Sequence, residues 1–237
     1  MKFATIRFLK KSFIRLRLHI VYSWATGVWQ QMTWMTRLSK WADDHKKIAF
    51  NDFPSRWSYQ KRFDLYEYVI KKEVLDLEIN YLEFGVADGH SFNWWMNRNT
   101  HPASSFYGFD TFTGLPENFG PYKKGSFATG NNIPTIKDTR GKFYQGLFQQ
   151  TLPGFLKHFD NNKKLVVMMD ADLYTATLFT LTSLAPFLKK DDIIFFDEFA
   201  VPTHEFMAYW HFVNSYYFDL ELIAAASNYY FVAFKVK

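Results

Sequence analysis

The sequence predicts an α/β protein: a mostly parallel, seven-stranded sheet with an antiparallel C-terminal edge, preceded by an N-terminal helical extension. Three observations carry this. Short apolar runs of strand length alternate with amphipathic helical stretches from about residue 62 onward, as a parallel sheet covered on both faces requires. The last two runs, "LELIAAAS" and "YYFVAFKVK", are joined by a turn too short for a crossover, so they pair antiparallel. The first fifty residues follow a different pattern, basic and helical. The expected division is therefore residues 1–60 as a basic amphipathic extension or lid, and 61–237 as the main domain.

In the extension, Phe3, Ile6, Phe13, Leu16 and Ile20 recur at spacings of three, four and seven, while Lys10, Lys11 and Arg17 fall mostly on other faces. Residues 1–50 carry ten Lys/Arg against two Asp, a net of +8; residues 51–237 carry eighteen against twenty-one Asp/Glu, a net of −3. The basic character thus belongs to the extension. His19, Gln30 and Gln31 interrupt the best apolar stretch, which falls short of the ~18–20 residues of a membrane span. Arg15, Arg17 and His19 spoil a secretory signal. Four readings stand for this segment: a helix capping its own domain, a peripheral membrane contact through residues 1–41 with Trp24, Trp29, Trp34 and Trp41, a transit peptide, or a nucleic acid contact.

After a loop around Pro54, a helix is expected over Arg62–Leu77, with Phe63, Tyr66, Val69 and Ile70 on its apolar side. "NYLEFGV", "SSFYGFD", "KFYQG", "KKLVVMMD" and "DDIIFFDE" read as five strands; helices are expected after Gly89 and over Tyr174–Leu188. With 48% hydrophobic and 21% aromatic residues the core is ample. The absence of cysteine rules out disulfides and thiolate metal sites and fits a reducing, cytoplasmic setting.

In such sheets ligands bind beyond the carboxyl ends of the strands. Four of the five strands deliver acids there: Glu83 in "LEFGVADGHS", Asp110, the pair Asp170 and Asp172, and the pair Asp197 and Glu198. One acid is commonly a helix cap. Four sets converging on a rim repel one another unless hydrogen bonds or a cation offset the charge. Gly85 and Gly89 form a G-x-x-x-G turn where a ligand can approach the backbone. Asp110 lies 25 residues after Gly85, where a carboxylate can accept both hydroxyls of a ribose. No Walker lysine is present, so a nucleoside without a phosphate chain fits better than a nucleotide.

The pattern E-x-G-x-x-x-G followed by an acid closing the second strand resembles a class I S-adenosylmethionine-dependent methyltransferase. "YGFDTFTGLPENF" (107–119), "GLFQQTLPGFL" (146–156), "DADLYTATLFTL" (170–181) and "IIFFDEF" (193–199) resemble the macrocin O-methyltransferase (TylF-like) family in order and spacing, over roughly residues 62–215. The resemblance implies a Rossmann-like methyltransferase sheet, S-adenosylmethionine as methyl donor, a divalent cation, usually magnesium, and hydroxyl acceptors, often on sugars. Carried over by position, Glu83, Gly85, Gly89 and Ser91 line the methionine half of the cofactor, Asp110 holds the ribose, and Asp88 is a further cofactor-binding residue. Asp172, Asp197 and Glu198 match the metal ligands, with Asp172 also the general base. Asp170 is expected near the sulfonium and ammonium of the cofactor. The chain departs from the family pattern in having Asp197-Glu198-Phe199 where Asp-Asp-Tyr is usual. Glutamate can still ligate a hard cation, but the tyrosine hydroxyl is lost. His204 or Glu205, opening the next helix, is expected to face the substrate; a first-turn acid beside a cap neighbour is the competing reading.

The expected activity is therefore O-methylation of a sugar or glycosylated small molecule. The alternatives are methylation of another atom on the same fold, or a membrane- or partner-binding protein that no longer turns over. Nucleic acid is not expected as substrate, since the body is acidic and carries no Asn-Pro-Pro-Tyr-type motif. Oligomeric state is open between monomer and homodimer.

Overall fold

The computed structural model describes residues 3–237. Seven strands form one sheet in the order β3-β2-β1-β4-β5-β7-β6: β1 (Ile79–Phe84), β2 (Ser105–Asp110), β3 (Gly141–Gln145), β4 (Lys164–Met169), β5 (Ile193–Phe196), β6 (Leu220–Ala226) and β7 (Phe231–Val236). β1 to β5 are parallel; β7 runs antiparallel between β5 and β6. The expected sheet and its antiparallel C-terminal pair are both present. Ser227, Asn228 and Tyr229 take left-handed conformations in the turn between that pair.

The central strands are buried on both faces, and their side chains alternate between two cores. Leu82 and Phe84, Val167 and Met169, and Ile194 and Phe196 enter one core. It is covered by α3 (Thr26–Asp44), α6 (Phe148–Leu156), α7 (Tyr174–Leu184) and α8 (Glu205–Tyr216). Ile79 and Tyr81, Val166 and Met168, and Ile193 and Phe195 enter the other, under α4 (Lys61–Glu73) and α5 (His90–Arg98).

Two helices are shorter than the pattern indicates. α4 stops at Glu73 because Val74 turns left-handed. α7 ends at Leu184, before the turn that leads into β5. The extension folds as α1 (Phe3–Arg15), a single turn α2 (His19–Tyr22) and α3. Trp34 and Trp41 of α3 are buried; Trp41 packs among Phe199, Phe206, Tyr209, Tyr229 and Phe234. Among the described residues no helix is long and apolar enough to cross a membrane.

The strand order reverses between β1 and β4, so the crevice lies beyond their carboxyl ends. Gly85 makes the close approach there: its φ is +95°, and an added Cβ would sit 1.8 Å from the Asp170 carbonyl oxygen. Gly85→Ala is therefore expected to destabilise the protein by about 3 kcal/mol or more, read as the shift of the urea midpoint.

Candidate active site

Strand alternation explains how the acids meet. Glu83 follows Tyr81, Asp170 follows Met168 and Asp197 follows Phe195 at the two-residue period, so all three aim to the α4 side of the sheet. Register brings them level: Phe84 pairs with Met169 and Met169 with Phe196. The ladder then continues one residue further, as Asp170 N–H donates to the Phe84 carbonyl and Asp197 N–H to the Met169 carbonyl, both at 2.9 Å.

α4 answers these acids with Arg62. Its guanidinium is 1% exposed. Nε donates to Asp197 Oδ1 at 3.0 Å, Nη2 bridges to Asp197 Oδ2 and reaches Asp170 Oδ2 at 3.2 Å, and Nη1 meets the Tyr59 hydroxyl. The guanidinium also lies over the Tyr59 ring, 4.0 Å from its centroid. Glu83 is fully buried beside this pair and accepts a hydrogen bond from the Tyr81 hydroxyl.

A cavity of about 360 Å³ opens at the crevice. Seven carboxylates line it, from Glu83, Asp88, Asp110, Asp170, Asp172, Asp197 and Glu198, against the single guanidinium of Arg62. The imbalance appears in the proton affinities. Burial pushes Glu83 up to about 8, with Asp170 adding to the effect against the pull of Tyr81 and Arg62. Burial, then the charges of Asp170, Glu198 and Asp110, push Asp172 up to about 8. Burial and Asp170 push Glu198 up to about 7. Asp170 is also raised by burial, with Arg62 opposing.

Asp172 takes a left-handed conformation, φ +59°, in the bend between β4 and α7. That bend turns its carboxylate into the cavity beside Asp170. Asp110 is placed differently from expectation. Its Oδ2 accepts Val86 N–H at 2.7 Å and Ala87 N–H at 2.9 Å, and its Oδ1 accepts Phe112 N–H at 2.6 Å. Of roughly four acceptor positions on a carboxylate about one is left, so it suits one ribose hydroxyl rather than two. Ser91 lines the cavity with a buried Oγ that has no partner, and Glu198 Oε2 is likewise buried and unpaired. Such orphaned groups call for a ligand.

Some expected residues fall outside. Gly89 lies behind the wall: it is the left-handed N-cap of α5, and its missing Cβ faces Pro134. His204 does not line the cavity; its ring packs edge-on against Phe119 at 4.8 Å, and burial lowers its proton affinity. Glu205 is fully buried, and its Oε2 accepts the Glu198 N–H at 3.0 Å, so it positions Glu198 from behind.

The expected magnesium ligands Asp172, Asp197 and Glu198 do not form a ligand set. Asp197 gives both oxygens to Arg62, and a dication there would stand against the guanidinium. Among the described residues no group of three or more His, Asp or Glu side chains is arranged to hold a metal ion.

Two features escaped the sequence. Arg62 had a signal: with Leu65, Tyr66, Val69 and Ile70 it falls on the buried stripe of its helix, and a cation there must meet buried anions. The other is the crossover 111–140, which links β2 to β3 with no helix. Leu115, Pro116 and Phe127 from it line the cavity, and Thr175 Oγ1 of α7 donates to its Glu117 Oε1 at 2.7 Å. Loops this long inside a compact domain are commonly active-site covers.

The strand order and the switch-point cavity are those of the class I methyltransferase fold. Residues 82–199 match a family model described as a methyltransferase domain (Methyltransf_24). The fold is also that of CalS11, a calicheamicin methyltransferase, with TM-score 0.58 and 21% identity over 86% of this chain and 91% of that one. The O-methyltransferase NovP is similar with TM-score 0.54 and 19% identity over 74% of this chain and 78% of that one. No curated protein is similar in sequence.

Two outcomes follow for the ligand-free protein. Glu83, Asp172 and Glu198 bind protons more tightly folded than unfolded, so their contribution to stability is full below about pH 4 and is lost as pH rises through 7 to 8. Urea midpoints in that window are expected to fall with rising pH. Arg62→Met is expected to cost about 3–5 kcal/mol at pH 8, by leaving buried carboxylates unpaired. The same comparison at pH 5 should show a smaller loss, because protonation then relieves the uncompensated charge.

Proposed function

We propose that the protein methylates a hydroxyl group of a sugar or glycosylated small molecule, with Asp172 as general base. The observation that carries this is the Asp172 carboxylate, raised to about 8 on the wall of an acid-lined cavity at the switch point. A base with proton affinity near the working pH is best suited to take a proton from an alcohol as the carbon–oxygen bond forms. The sugar class draws on the TylF-like motifs and on two proteins of this fold: NovP is an O-methyltransferase, and CalS11 is described as a TDP-rhamnose 3'-O-methyltransferase.

The residues fit S-adenosylmethionine. Glu83, Asp88 and Asp170, with the orphaned Ser91 hydroxyl, suit the ammonium and sulfonium, and Asp110 suits one ribose hydroxyl. Leu147 and Phe148 give an apolar wall for a flat ring. When bound, the cofactor supplies the electrophilic methyl group and a second cation. Arg62 holds Asp197 and Asp170 in place, so the carboxylates keep one geometry while the charge balance changes. Asp172 remains free of Arg62 and can orient the acceptor hydroxyl and accept its proton. Holding the oxygen in line with the methyl group supplies much of the rate. No step here requires a metal ion.

Calorimetry with S-adenosylmethionine tests the cofactor site. A cationic ligand favours ionised carboxylates, so binding near pH 7 is expected to release protons, and affinity should rise up to about pH 8. Titrations in buffers of different ionisation enthalpy measure the release; proton uptake or no binding would sink the site assignment. Asp172→Asn keeps a residue tolerant of the left-handed bend. It is expected to lower kcat by about 10²–10⁴. The alkaline rise of the wild-type pH–rate profile should disappear with it, measured by methyl transfer to a panel of nucleotide sugars and glycosides.

A further inference from the structure

The four tryptophans of residues 1–41 split into two pairs. Trp34 and Trp41 are 7% and 5% exposed and fasten α3 to the core; Trp24 and Trp29 are 82% and 52% exposed. α1 buries nothing: Phe3, Ile6, Phe8, Leu9, Phe13 and Ile14 are all exposed. At 100° per residue, Ile6, Leu9 and Phe13 share one side of α1, while Arg7, Lys11 and Arg15 stack at four-residue spacing on another. Phe13 stacks on Tyr22 at 5.6 Å and Tyr22 meets Trp29 at 5.9 Å, so the exposed apolar groups of the three helices form one continuous surface. No acid precedes Asp43 in the sequence.

We infer that α1, α2 and the first half of α3 dock in the plane of an anionic lipid bilayer. The chemistry selects this occupant. An apolar side flanked by basic residues, with tryptophan at its edge, matches the boundary between acyl chains and negatively charged headgroups. A second copy of the same face would bring Arg7, Lys10, Lys11, Arg15 and Arg17 against their own duplicates with no acid to meet them. Among the described residues no helix is both long and apolar enough to span, so the attachment inferred is peripheral. The anchoring pair Trp34 and Trp41 then links the lipid-facing part to α8 and to the strand ends. Gln31 Oε1 accepts a hydrogen bond at 3.3 Å from Thr203, in the segment that follows the acid rim.

Flotation of the full-length protein with vesicles tests this, using phosphatidylcholine alone and phosphatidylcholine mixed with phosphatidylglycerol. Binding is expected only to the anionic vesicles and should weaken with added salt. Two variants separate the contributions: Trp24→Ser with Trp29→Ser, and Arg7→Glu with Lys11→Glu and Arg15→Glu. Each should lower the bound fraction at least about tenfold. Both change exposed positions, so the urea midpoint should stay at the wild-type value. Absence of binding, equal binding to neutral vesicles, or undiminished binding by either variant overturns the inference. So does a wild-type dimer, seen by sedimentation, that the charge reversal dissolves and anionic vesicles fail to displace.

Discussion

Everything at the crevice depends on one buried guanidinium. Three strands end side by side on the same face, each with a carboxylate, because a parallel sheet in register repeats its side-chain direction across neighbours. Without compensation that arrangement would expel itself into solvent or take up protons. Arg62 enters from α4, which is pinned to the sheet through Leu65, Tyr66, Val69 and Ile70, and joins Asp197 to Asp170. Its planar fork suits two carboxylates at once, as a lysine would not.

One cation does not neutralise seven carboxylates. Burial, and then the neighbouring carboxylates, raise the proton affinity of Glu83, Asp172 and Glu198, and the excess of acids makes the cavity receptive to a positively charged ligand. The same feature makes it hostile to phosphate chains, in line with the absence of a Walker lysine. Arg62 therefore has two effects that oppose each other: it stabilises the ligand-free rim, and it removes Asp197 from any set of metal ligands. Glu198 is held from behind by Glu205 and keeps a free oxygen facing the buried rim.

The extension is organised around a division of its aromatic residues. Inward tryptophans couple it to the core near β5 and α8, and outward ones leave an apolar, basic surface. The charge asymmetry of the chain follows the same division: seven acids of the main domain line the cavity, and Arg7, Lys10, Lys11, Arg15 and Arg17 gather along α1 and just after it.

Much of the architecture is legible in the residues themselves. "NYLEFGV", "KKLVVMMD" and "DDIIFFDE" are apolar runs with acids at one end, and short apolar runs flanked by helical patterns leave few arrangements other than a parallel sheet. The position of Glu83, Asp110, Asp170, Asp172, Asp197 and Glu198 at strand ends is a matter of local pattern, so the sequence alone determines that they share a rim. Which of them meets which is decided by register and by the packing of α4, both long-range. Arg62 lies 108 residues from Asp170 and 135 from Asp197 in the chain, and no local periodicity links them. For the same reason Asp110 was found to hold the Val86–Ala87 backbone, and His204 to turn toward Phe119. Local pattern assigns a side chain to an edge of the sheet; only the assembled core decides what it touches there.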